Sequence, residues 1–395
     1  MSFGVYIHIP YCLQRCTYCD FATYERTKIL PENDYVQILK NEILSRHHLF
    51  SHHQNLDTVY FGGGTPSLLP ASLISEILST LNTVGFRQKS GAEITIEINP
   101  ATVDEEKLRI YKDLGINRLS VGAQTFDDDL LKMVHREHSA KQTLQTFELI
   151  KKHDFHFNFD LLFALPHQSM AGFEKDVQIA LEIAPEHLSP YCLTVPHNHI
   201  LSKNRPLDDE QIAMFELLHE RLSSGGYQQY EISNYAKPGY ESKHNMLYWT
   251  DQDYWGVGLS AHSYLKQSPS FPWGVRFWNH KGIQDYTTWA QSLSANTPIF
   301  SSADQDRFES LESWESLTDF CHVSMRLLTG LNKAKLKQKF GSKAVLLMEK
   351  RLRDPKLSAF VAEDAQGWHL TRQGVHLSNQ VFEQIFVSKD DWLSV

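Results

Sequence analysis

The chain of 395 residues lacks the features that indicate a membrane-spanning or secreted protein. No uncharged apolar run reaches the ~20 residues that a membrane-spanning helix requires. The N-terminal sequence MSFGVYIHIPYC shows neither a basic leader nor a cleavage site. We therefore expect no signal peptide, no membrane span and a cytoplasmic location.

An excess of basic charge is also missing. The sequence holds 38 Lys and Arg against 47 Asp and Glu, a net charge of −9, which argues against a nucleic-acid partner. Apolar residues make up 42% and charged residues 22% of the chain, and these ordinary fractions exclude a disordered protein. The usual domain size allows two or three domains at this length.

Cysteine is scarce and unevenly placed. Three of the five lie close together as Cys12, Cys16 and Cys19, whereas Cys192 and Cys321 stand alone in apolar surroundings. An odd, clustered set without a secretion signal does not fit a disulfide framework. We interpret the cluster as a metal site and expect the two isolated cysteines to pack in the core.

Strand-like and helix-like segments alternate over roughly the first 240 residues, which predicts βαβ units and a parallel sheet. The predicted strands are Phe3–Pro10, Asp57–Phe61, Ala92–Ile98, Arg118–Gln124, Phe157–Leu165, His187–Val195 and Tyr227–Asn234. The predicted helices lie near Asn33–Leu49, Ala71–Val84, Asp104–Leu114, Ser139–Lys152, Met170–Ile183 and Asp208–Leu222. No Gly-rich dinucleotide fingerprint opens the first unit, so we predict an α/β fold with a partial barrel rather than an open doubly wound sheet.

The predicted strands alternate apolar and polar side chains, so one face suits the covering helices and the other carries polar groups. Glu97, Gln124 and Asp160 fall near strand ends, where parallel α/β proteins place their chemistry. A polar inner face favours an incomplete barrel that holds a polar ligand. The alternative is that some of these strands are edges with one face in solvent.

The pattern changes after about residue 240. Residues 244–280 are rich in aromatic side chains, and from about residue 305 the chain is mostly helical, with one predicted hairpin of 360–361 against 368–370. We predict a barrel over 1–240 with a cluster loop at 12–32, an aromatic-rich extension over 241–300, and a smaller, mainly helical, winged-helix-like domain over 301–395. The aromatic segment either packs the barrel against that domain or presents a surface to a ligand.

The three clustered cysteines form the motif Cys12-x3-Cys16-x2-Cys19 in a loop after the first predicted strand. Structural zinc generally takes four protein ligands, often as two Cys-x2-Cys pairs, and the sequence has no second pair. The alternatives are a zinc site completed by His8 or Asp20 and three unrelated thiols in a loop. An iron–sulfur cluster fits better, since three thiolates on a [4Fe–4S] cluster leave one iron open to a small molecule.

The motif, with an aromatic residue (Tyr18) before its last Cys, resembles the signature of the radical S-adenosylmethionine (SAM) superfamily. That resemblance implies a [4Fe–4S] cluster, SAM chelated to the open iron, a 5′-deoxyadenosyl radical and a partial (β/α)6 barrel. Four more motifs occur in order at predicted strand ends: Tyr6–Cys12 (YIHIPYC), Tyr60–Ser67 (YFGGGTPS), Glu97–Pro100 (EINP) and Ser120–Phe126 (SVGAQTF). Together they are similar to the coproporphyrinogen III oxidase-like branch (HemN and HemW), from Val5 to about residue 265.

Motif positions in that branch imply which residues contact SAM. These are Tyr6, Tyr18, Gly63, Gly64, Thr65, Glu97, Gln124, Arg136 and Asp160. Burying the carboxylate of Glu97 inside a barrel costs free energy unless it has a partner, and the ammonium or hydroxyl groups of SAM offer that partner. Arg136 is expected to pair with the carboxylate of SAM. The alternatives are a plain glycine loop, a solvated Arg136 and a core Tyr6.

The chain departs from the oxidases of this branch in its cysteine motif, in the length before that motif and in a histidine motif near residue 244. The oxidase pattern has a fourth Cys two positions after the third. Phe21 stands there instead, and Cys12 lies almost at the N-terminus. A His-Asn-x-x-Tyr-Trp motif beginning at His244 matches one associated with haem binding in HemW-type haem chaperones, and a neutral imidazole is a good haem-iron ligand.

The resemblance therefore implies a chaperone that binds haem and delivers it to an acceptor haemoprotein such as a respiratory cytochrome. The resemblance is also compatible with a flavodoxin-type electron donor and with a homodimer. The alternative function is an oxygen-independent coproporphyrinogen III oxidase or a related radical SAM enzyme.

Overall fold

The structure is a computed structural model that describes residues 2–294, 297, 300 and 305–394. Its strands are β1 Phe3–Ile9, β2 Tyr11–Cys12, β3 Tyr24–Glu25, β4 Asn55–Gly63, β5 Arg87–Ile98, β6 Arg118–Gln124, β7 His156–Phe163, β8 His187–Cys192, β9 Gln228–Gln229, β10 Tyr235–Ala236, β11 Asp253–Val257, β12 His262–Leu265, β13 Val275–Trp278, β14 Phe308–Ser310, β15 Leu331–Asn332, β16 Val361–Glu363 and β17 Gly367–Leu370. The predicted domains also include residue 1 and residues 295–296, 298–299, 301–304 and 395, which lie outside the described part.

The helices alternate with these strands in the first half of the chain and dominate its end. They are α1 Glu32–Arg46, α2 Ala71–Thr83, α3 Glu105–Asp113, α4 Asp128–Met133, α5 Ala140–Lys152, α6 Met170–Ile183, α7 Asp208–Ser224, α8 Lys243–Trp249, α9 Ile283–Ser292, α10 Ser313–Arg326, α11 Lys333–Phe340, α12 Ser342–Leu352, α13 Arg372–His376, α14 Ser378–Ile385 and α15 Lys389–Ser394. Their starts follow local rules: Ser139, for example, caps α5 in a reciprocal capping box with Gln142.

Six strands form the parallel centre of one large sheet, in the order β1-β4-β5-β6-β7-β8. The sheet continues beyond β1 through β11, which is parallel to β1, and then through antiparallel β12, β13 and β14. At the other edge β10 and β9 are antiparallel. The two edge strands, β14 and β9, lie at opposite ends of the order, so the barrel is partial and not closed. The predicted α/β partial barrel is confirmed.

The alternating pattern of the central strands explains how the helices pack on them. In β1, the side chains of Val5, Ile7 and Ile9 are fully buried in the main hydrophobic core, while the opposite face carries polar groups toward the barrel interior. The first six predicted strands and all six predicted helices are present. The strand β6, Arg118–Gln124, and the helix α6, Met170–Ile183, have the predicted bounds.

The seventh predicted strand, 227–234, is wrong. Only Gln228–Gln229 is a strand there, and it pairs antiparallel with Tyr235–Ala236. The chain folds back between them, and the backbone around Glu231 pairs with the end of α10 instead. The amide of Ile232 donates to the Arg326 carbonyl at 3.1 Å, and the amide of Leu328 donates to the Tyr230 carbonyl at 3.0 Å. The side chain of Glu231 is fully buried there and forms an ion pair with Arg326, which offsets the cost of burying its charge.

The C-terminal residues form helices around a three-stranded sheet of order β15-β17-β16 with its own hydrophobic core. The predicted hairpin is confirmed as β16 and β17, with Val361 opposite Leu370. Cys321 is fully buried in this core, as expected, whereas Cys192 is only half-buried. Among the described helices, none combines the length and the apolar character that crossing a membrane requires.

Candidate functional site

The three clustered cysteines lie in the loop after β1 and line one cavity of about 460 Å³, which we call the polar cavity. Cys12 is buried and Cys16 and Cys19 are half-buried; the amide of Cys19 donates to the carbonyl of Cys16 at 3.2 Å, which closes a tight turn between them. Burial raises the pKa of the Cys12 thiol to about 11. A bound cation reverses such a shift because it stabilises the thiolate.

The glycine turn after β4 packs directly against this loop. A Cβ on Gly64 would lie 2.5 Å from the carbonyl oxygen of Tyr11 and 3.0 Å from Cys12 Sγ, and Gly63 has φ +118°. Only glycine allows the two segments to approach this closely in this conformation. Thr65 continues the turn, and its amide donates to the Tyr11 carbonyl at 2.7 Å. The glycine turn therefore lines the polar cavity beside the three thiols.

Glu97 lies one residue before the end of β5, and its carboxylate lines the polar cavity. Its two oxygens accept hydrogen bonds from the Tyr60 hydroxyl at 2.8 Å and from the amide of Gly63 at 3.0 Å. Burial nevertheless raises the pKa of Glu97 above its ordinary value. A cationic or hydroxyl-bearing ligand would offset that desolvation.

Arg136 lies in the loop between α4 and α5 and reaches the cysteines. Its guanidinium donates to Cys16 Sγ at 3.3 Å, to Asn99 Oδ1 at 2.6 Å and to the carbonyl of Gly122. The solvated arginine considered from the sequence is thus not what the structure shows. The side chain is held by three acceptors at the rim of the polar cavity.

Gln124, Asp160 and Tyr18 complete this group. Gln124 ends β6 with φ +68°, a conformation that non-glycine residues rarely adopt, and it is buried. Burial, followed by the charge of Glu97, raises the pKa of Asp160 to about 7. All three side chains line the polar cavity. Tyr6 does not line it, so of the predicted SAM-contacting set only Tyr6 lies apart.

The polar cavity fits a charged organic ligand by an independent observation. Among the described residues, Asn158 Oδ1 and His187 Nδ1 are buried without a hydrogen-bond partner, and both side chains line the cavity. Buried polar atoms are almost always paired, so unpaired ones beside a cavity point to a polar guest. Sequence reasoning did not assign Tyr60, Arg118 or His187 to the site. The available signal was that each lies on a predicted strand of the barrel, now β4, β6 and β8.

A second cavity of about 610 Å³ lies on the other side of the cluster loop; we call it the aromatic cavity. Asp20 and Phe21 line both cavities. The remaining walls come from Tyr6 and His8 of β1, from α8 and the strands that follow it, and from α10 of the C-terminal region, and they include Tyr248, Trp249, Tyr254, Tyr264, His262 and His322. The aromatic segment therefore both packs against the C-terminal helices and lines a cavity.

His244, the histidine singled out in the sequence, lines neither of these cavities. It is almost fully buried, with Nδ1 2.7 Å from Thr58 Oγ1 and Nε2 2.9 Å from the Tyr248 hydroxyl. Burial lowers the pKa of His244 to about 3, so the ring is neutral. Both ring nitrogens have protein partners in this arrangement, so a haem iron would have to replace one of them. The assignment of His244 as a haem ligand stays a prediction.

Comparison with protein families matches two parts of the chain. Residues 6–180 match the model of the radical SAM superfamily, and residues 311–377 match the HemN C-terminal domain.

Among curated proteins, the heme chaperone HemW of Bacillus subtilis is 32% identical over 387 residues, which cover 96% of this chain and 98% of that protein. The heme chaperone HemW of Escherichia coli is 39% identical over 267 residues, or 66% and 69% of the two chains. Among solved structures, coproporphyrinogen III oxidase (HemN) from Escherichia coli superposes with a TM-score of 0.82 at 22% identity, over 98% of this chain and 90% of that one. At that identity the likeness concerns the fold alone.

Proposed function

The chain belongs to the HemW family of the radical SAM superfamily, and on that premise we propose that it binds haem and delivers it to an acceptor haemoprotein. The observation that carries the proposal is the aromatic cavity. Its volume of about 610 Å³ lies within the range usual for cofactor and ligand sites, and its tyrosine and tryptophan walls offer flat apolar surface with polar edges. A porphyrin has the same combination of an apolar plane and a polar rim.

We propose further that Cys12, Cys16 and Cys19 hold a [4Fe–4S] cluster and that SAM occupies the polar cavity. Three thiols without a fourth cysteine in the cavity, the half-buried glycine turn at Gly63 and Gly64, and the unpaired buried atoms described above support this proposal. When bound, the cluster can supply an electron to the sulfonium of SAM. The chain's own contribution is positional: Glu97 accepts from an ammonium or hydroxyl, and Arg136 donates to a carboxylate.

Phe21 supports the chaperone over the oxidase. It occupies the position of the oxidases' additional Cys, and its ring is 65% exposed between the two cavities. The oxidase remains the second candidate because the polar cavity retains the full set of SAM-type residues apart from Tyr6.

We also propose a respiratory haemoprotein as acceptor, a flavodoxin-type electron donor for the cluster and a cytoplasmic location. The family resemblance supports the first two, and the unpaired thiols, typical of a reducing compartment, support the third. A homodimer is compatible with the fold and is tested by light scattering.

One experiment separates the two candidates. Protein reconstituted anaerobically with iron and sulfide is titrated with haemin, and in parallel it is incubated with coproporphyrinogen III, SAM and a reductant. A stoichiometric Soret band, followed by transfer to an apo-cytochrome, is expected. Formation of protoporphyrinogen IX would establish the oxidase, and absence of a saturable haem complex would overturn the chaperone.

A further inference from the structure

Two adjacent histidines converge on one aspartate at the end of the sheet opposite to the cluster loop. His52 and His53 lie in the connection between α1 and β4, and Asp253 begins β11. Asp253 pairs with Phe3, the first residue of β1, whereas the cluster loop follows the other end of that strand, about 20 Å along it. The three side chains line neither the polar cavity nor the aromatic cavity. They therefore form a separate group, which the proposed function does not use.

The three side chains present metal-binding atoms to one another. Nε2 of His52 lies 3.1 Å and Nε2 of His53 lies 2.7 Å from the same carboxylate oxygen, Asp253 Oδ2. One ligand atom of each residue lies within 4.8 Å of those of the other two. A zinc ion that is about 2.0–2.1 Å from each of two tetrahedral ligands holds those ligands about 3.3 Å apart. Small movements of the two rings thus bring the three atoms to the spacing of a zinc site.

Neighbouring groups hold these ligands in position. The amide of Lys266 donates to the other carboxylate oxygen, Asp253 Oδ1, at 2.7 Å and so limits the rotation of the carboxylate. The His53 ring stacks on Phe3, with centroids 4.4 Å apart and planes 4° apart. Partners that orient the ligands in this way increase the affinity of a metal site.

Burial leaves the group accessible through His52. The side chains of His53 and Asp253 are 7% and 5% exposed, whereas that of His52 is 47% exposed. An ion can therefore reach the buried carboxylate from solvent on the His52 side, and a water molecule can complete its coordination there.

The charge of Asp253 is also available to a metal ion. Among the residues that the structure describes, its ion pairs are with the two histidines, and no Lys or Arg side chain pairs with it. Lys266, whose amide contacts the carboxylate, directs its ammonium group to Asp251 Oδ2 at 3.0 Å instead. No basic side chain in this part of the chain thus competes with a cation for Asp253.

We propose that His52 Nε2, His53 Nε2 and Asp253 Oδ2 bind one Zn²⁺ ion, with water as its fourth ligand. Two imidazoles and one carboxylate, with one open position, are an established ligand set for zinc in proteins. The ion cross-links the connection between α1 and β4 to β11. Since the next residue of β11, Tyr254, lines the aromatic cavity, the cross-link also stabilises the strand that provides this wall.

Zinc binding by the full-length protein with its cluster reconstituted tests the proposal. Wild type, His52→Ala, Asp253→Asn and His48→Ala are dialysed against a series of Zn²⁺ concentrations, and bound zinc and iron are measured. His48→Ala is the matched control. The rings of His47 and His48 are also adjacent, with centroids 6.1 Å apart, but among the described residues neither forms an ion pair with a carboxylate.

Wild type and His48→Ala should each bind one Zn²⁺ per chain at this site. Loss of even an outer partner of a ligand costs about 10- to 100-fold in metal affinity, so the dissociation constant should rise at least about tenfold in His52→Ala and in Asp253→Asn. The iron content should stay constant. X-ray absorption at the zinc edge should show nitrogen and oxygen ligands at about 2.0–2.1 Å and no sulfur at about 2.3 Å.

The exposed ring of His52 makes His52→Ala the decisive variant, because its removal takes away a ligand without opening the core. Equal zinc affinity in His52→Ala and wild type would overturn the proposal, even if Asp253→Asn fails to fold. Sulfur ligands in the wild-type spectrum would place the zinc on the cysteines and also overturn it. An equal loss of zinc in His48→Ala and His52→Ala would show binding to surface histidines in general, with the same consequence.

Discussion

Arg136 donates a hydrogen bond to Cys16 Sγ at 3.3 Å, across 120 residues of sequence. The same guanidinium bonds to Asn99 Oδ1 and to the Gly122 carbonyl. It therefore ties the cluster loop to the ends of two strands of the sheet.

Replacing Arg136 with lysine should reduce SAM binding without abolishing the cluster. Lysine keeps the charge, but it loses the planar fork that bonds to several acceptors at once. Hydrogen bonds to charged groups contribute about 1.5–3 kcal/mol, so the dissociation constant for SAM should rise about tenfold or more. Calorimetry on the reconstituted protein measures it, with Arg109→Lys on the exposed face of α3 as the control. Equal SAM affinity in Arg136→Lys would show that this side chain only supports the loop.

Alanine at Cys12, Cys16 or Cys19 should each abolish the brown absorbance of the reconstituted protein. Three thiolates are the minimum that holds a [4Fe–4S] cluster with one open iron, and the described structure offers no further cysteine in the cavity. Iron and sulfide analysis provides the measurement. Cys192→Ala is the control, because that half-buried thiol lies near Arg205 and Gln211 instead. Full iron and sulfide content in any of the three cluster-loop variants would refute the cluster assignment.

Glu97→Gln should weaken SAM binding and leave the cluster in place. The amide still fits between the Tyr60 hydroxyl and the amide of Gly63, since the hydroxyl can rotate to accept a hydrogen bond. The negative charge is lost, and with it the partner for a ligand ammonium, so the expected loss is again about tenfold or more. Glu106→Gln, exposed on α3, should bind SAM as wild type does. If both variants bind equally well, Glu97 has no role in the polar cavity.

The sequence predicted the barrel because its information there is local. Alternation with period 2 in the strands and apolar periodicity in the helices placed six βα units, and the polar face at Glu97 and Asp160 predicted the polar cavity between them. The strand predicted at 227–234 is wrong because the path of that segment depends on distant contacts. Its β-rich composition predicts a strand, but its backbone pairs with residues 326–328 and Glu231 contacts Arg326, 95 residues away.

The surroundings of His244 also depend on residues distant in sequence. The motif drew attention to His244 of α8, yet its surroundings come from β4: Thr58 lies 2.7 Å from Nδ1, and the ring of Tyr60 stacks on it with centroids 5.1 Å apart.

Phe21→Ala should weaken haem binding while SAM binding and the cluster are retained. The Phe21 ring is 65% exposed on the wall shared by the two cavities, so its removal takes apolar surface from the proposed haem site without breaking a core contact. Phe386→Ala is the matched control, because that ring is 58% exposed in the C-terminal region. Haemin titration should show weaker binding in Phe21→Ala alone. Identical titration curves for the two variants would place haem away from the cluster loop.

Glu42 should make the protein less stable as the pH rises. Its buried carboxylate accepts from the Tyr286 hydroxyl at 2.6 Å, from Asn279 Nδ2 at 2.7 Å and from the amide of Gly258 at 3.0 Å. Desolvation outweighs these donors and raises the pKa of Glu42 from 4.5 to about 7. Because the folded state binds the proton more tightly, its contribution to stability is full below pH 4.5 and is lost as the pH rises through about 7.

Glu42→Gln tests this dependence because glutamine stays neutral throughout. Between about pH 5 and pH 7 the free energy of unfolding of the wild type should fall relative to that of the variant by up to about 1.4 kcal/mol per pH unit. Urea unfolding followed by tryptophan fluorescence at several pH values gives both curves. Glu106→Gln, whose carboxylate is exposed, should run parallel to wild type. A constant difference between Glu42→Gln and wild type across this range would show that Glu42 is already ionised in the folded protein.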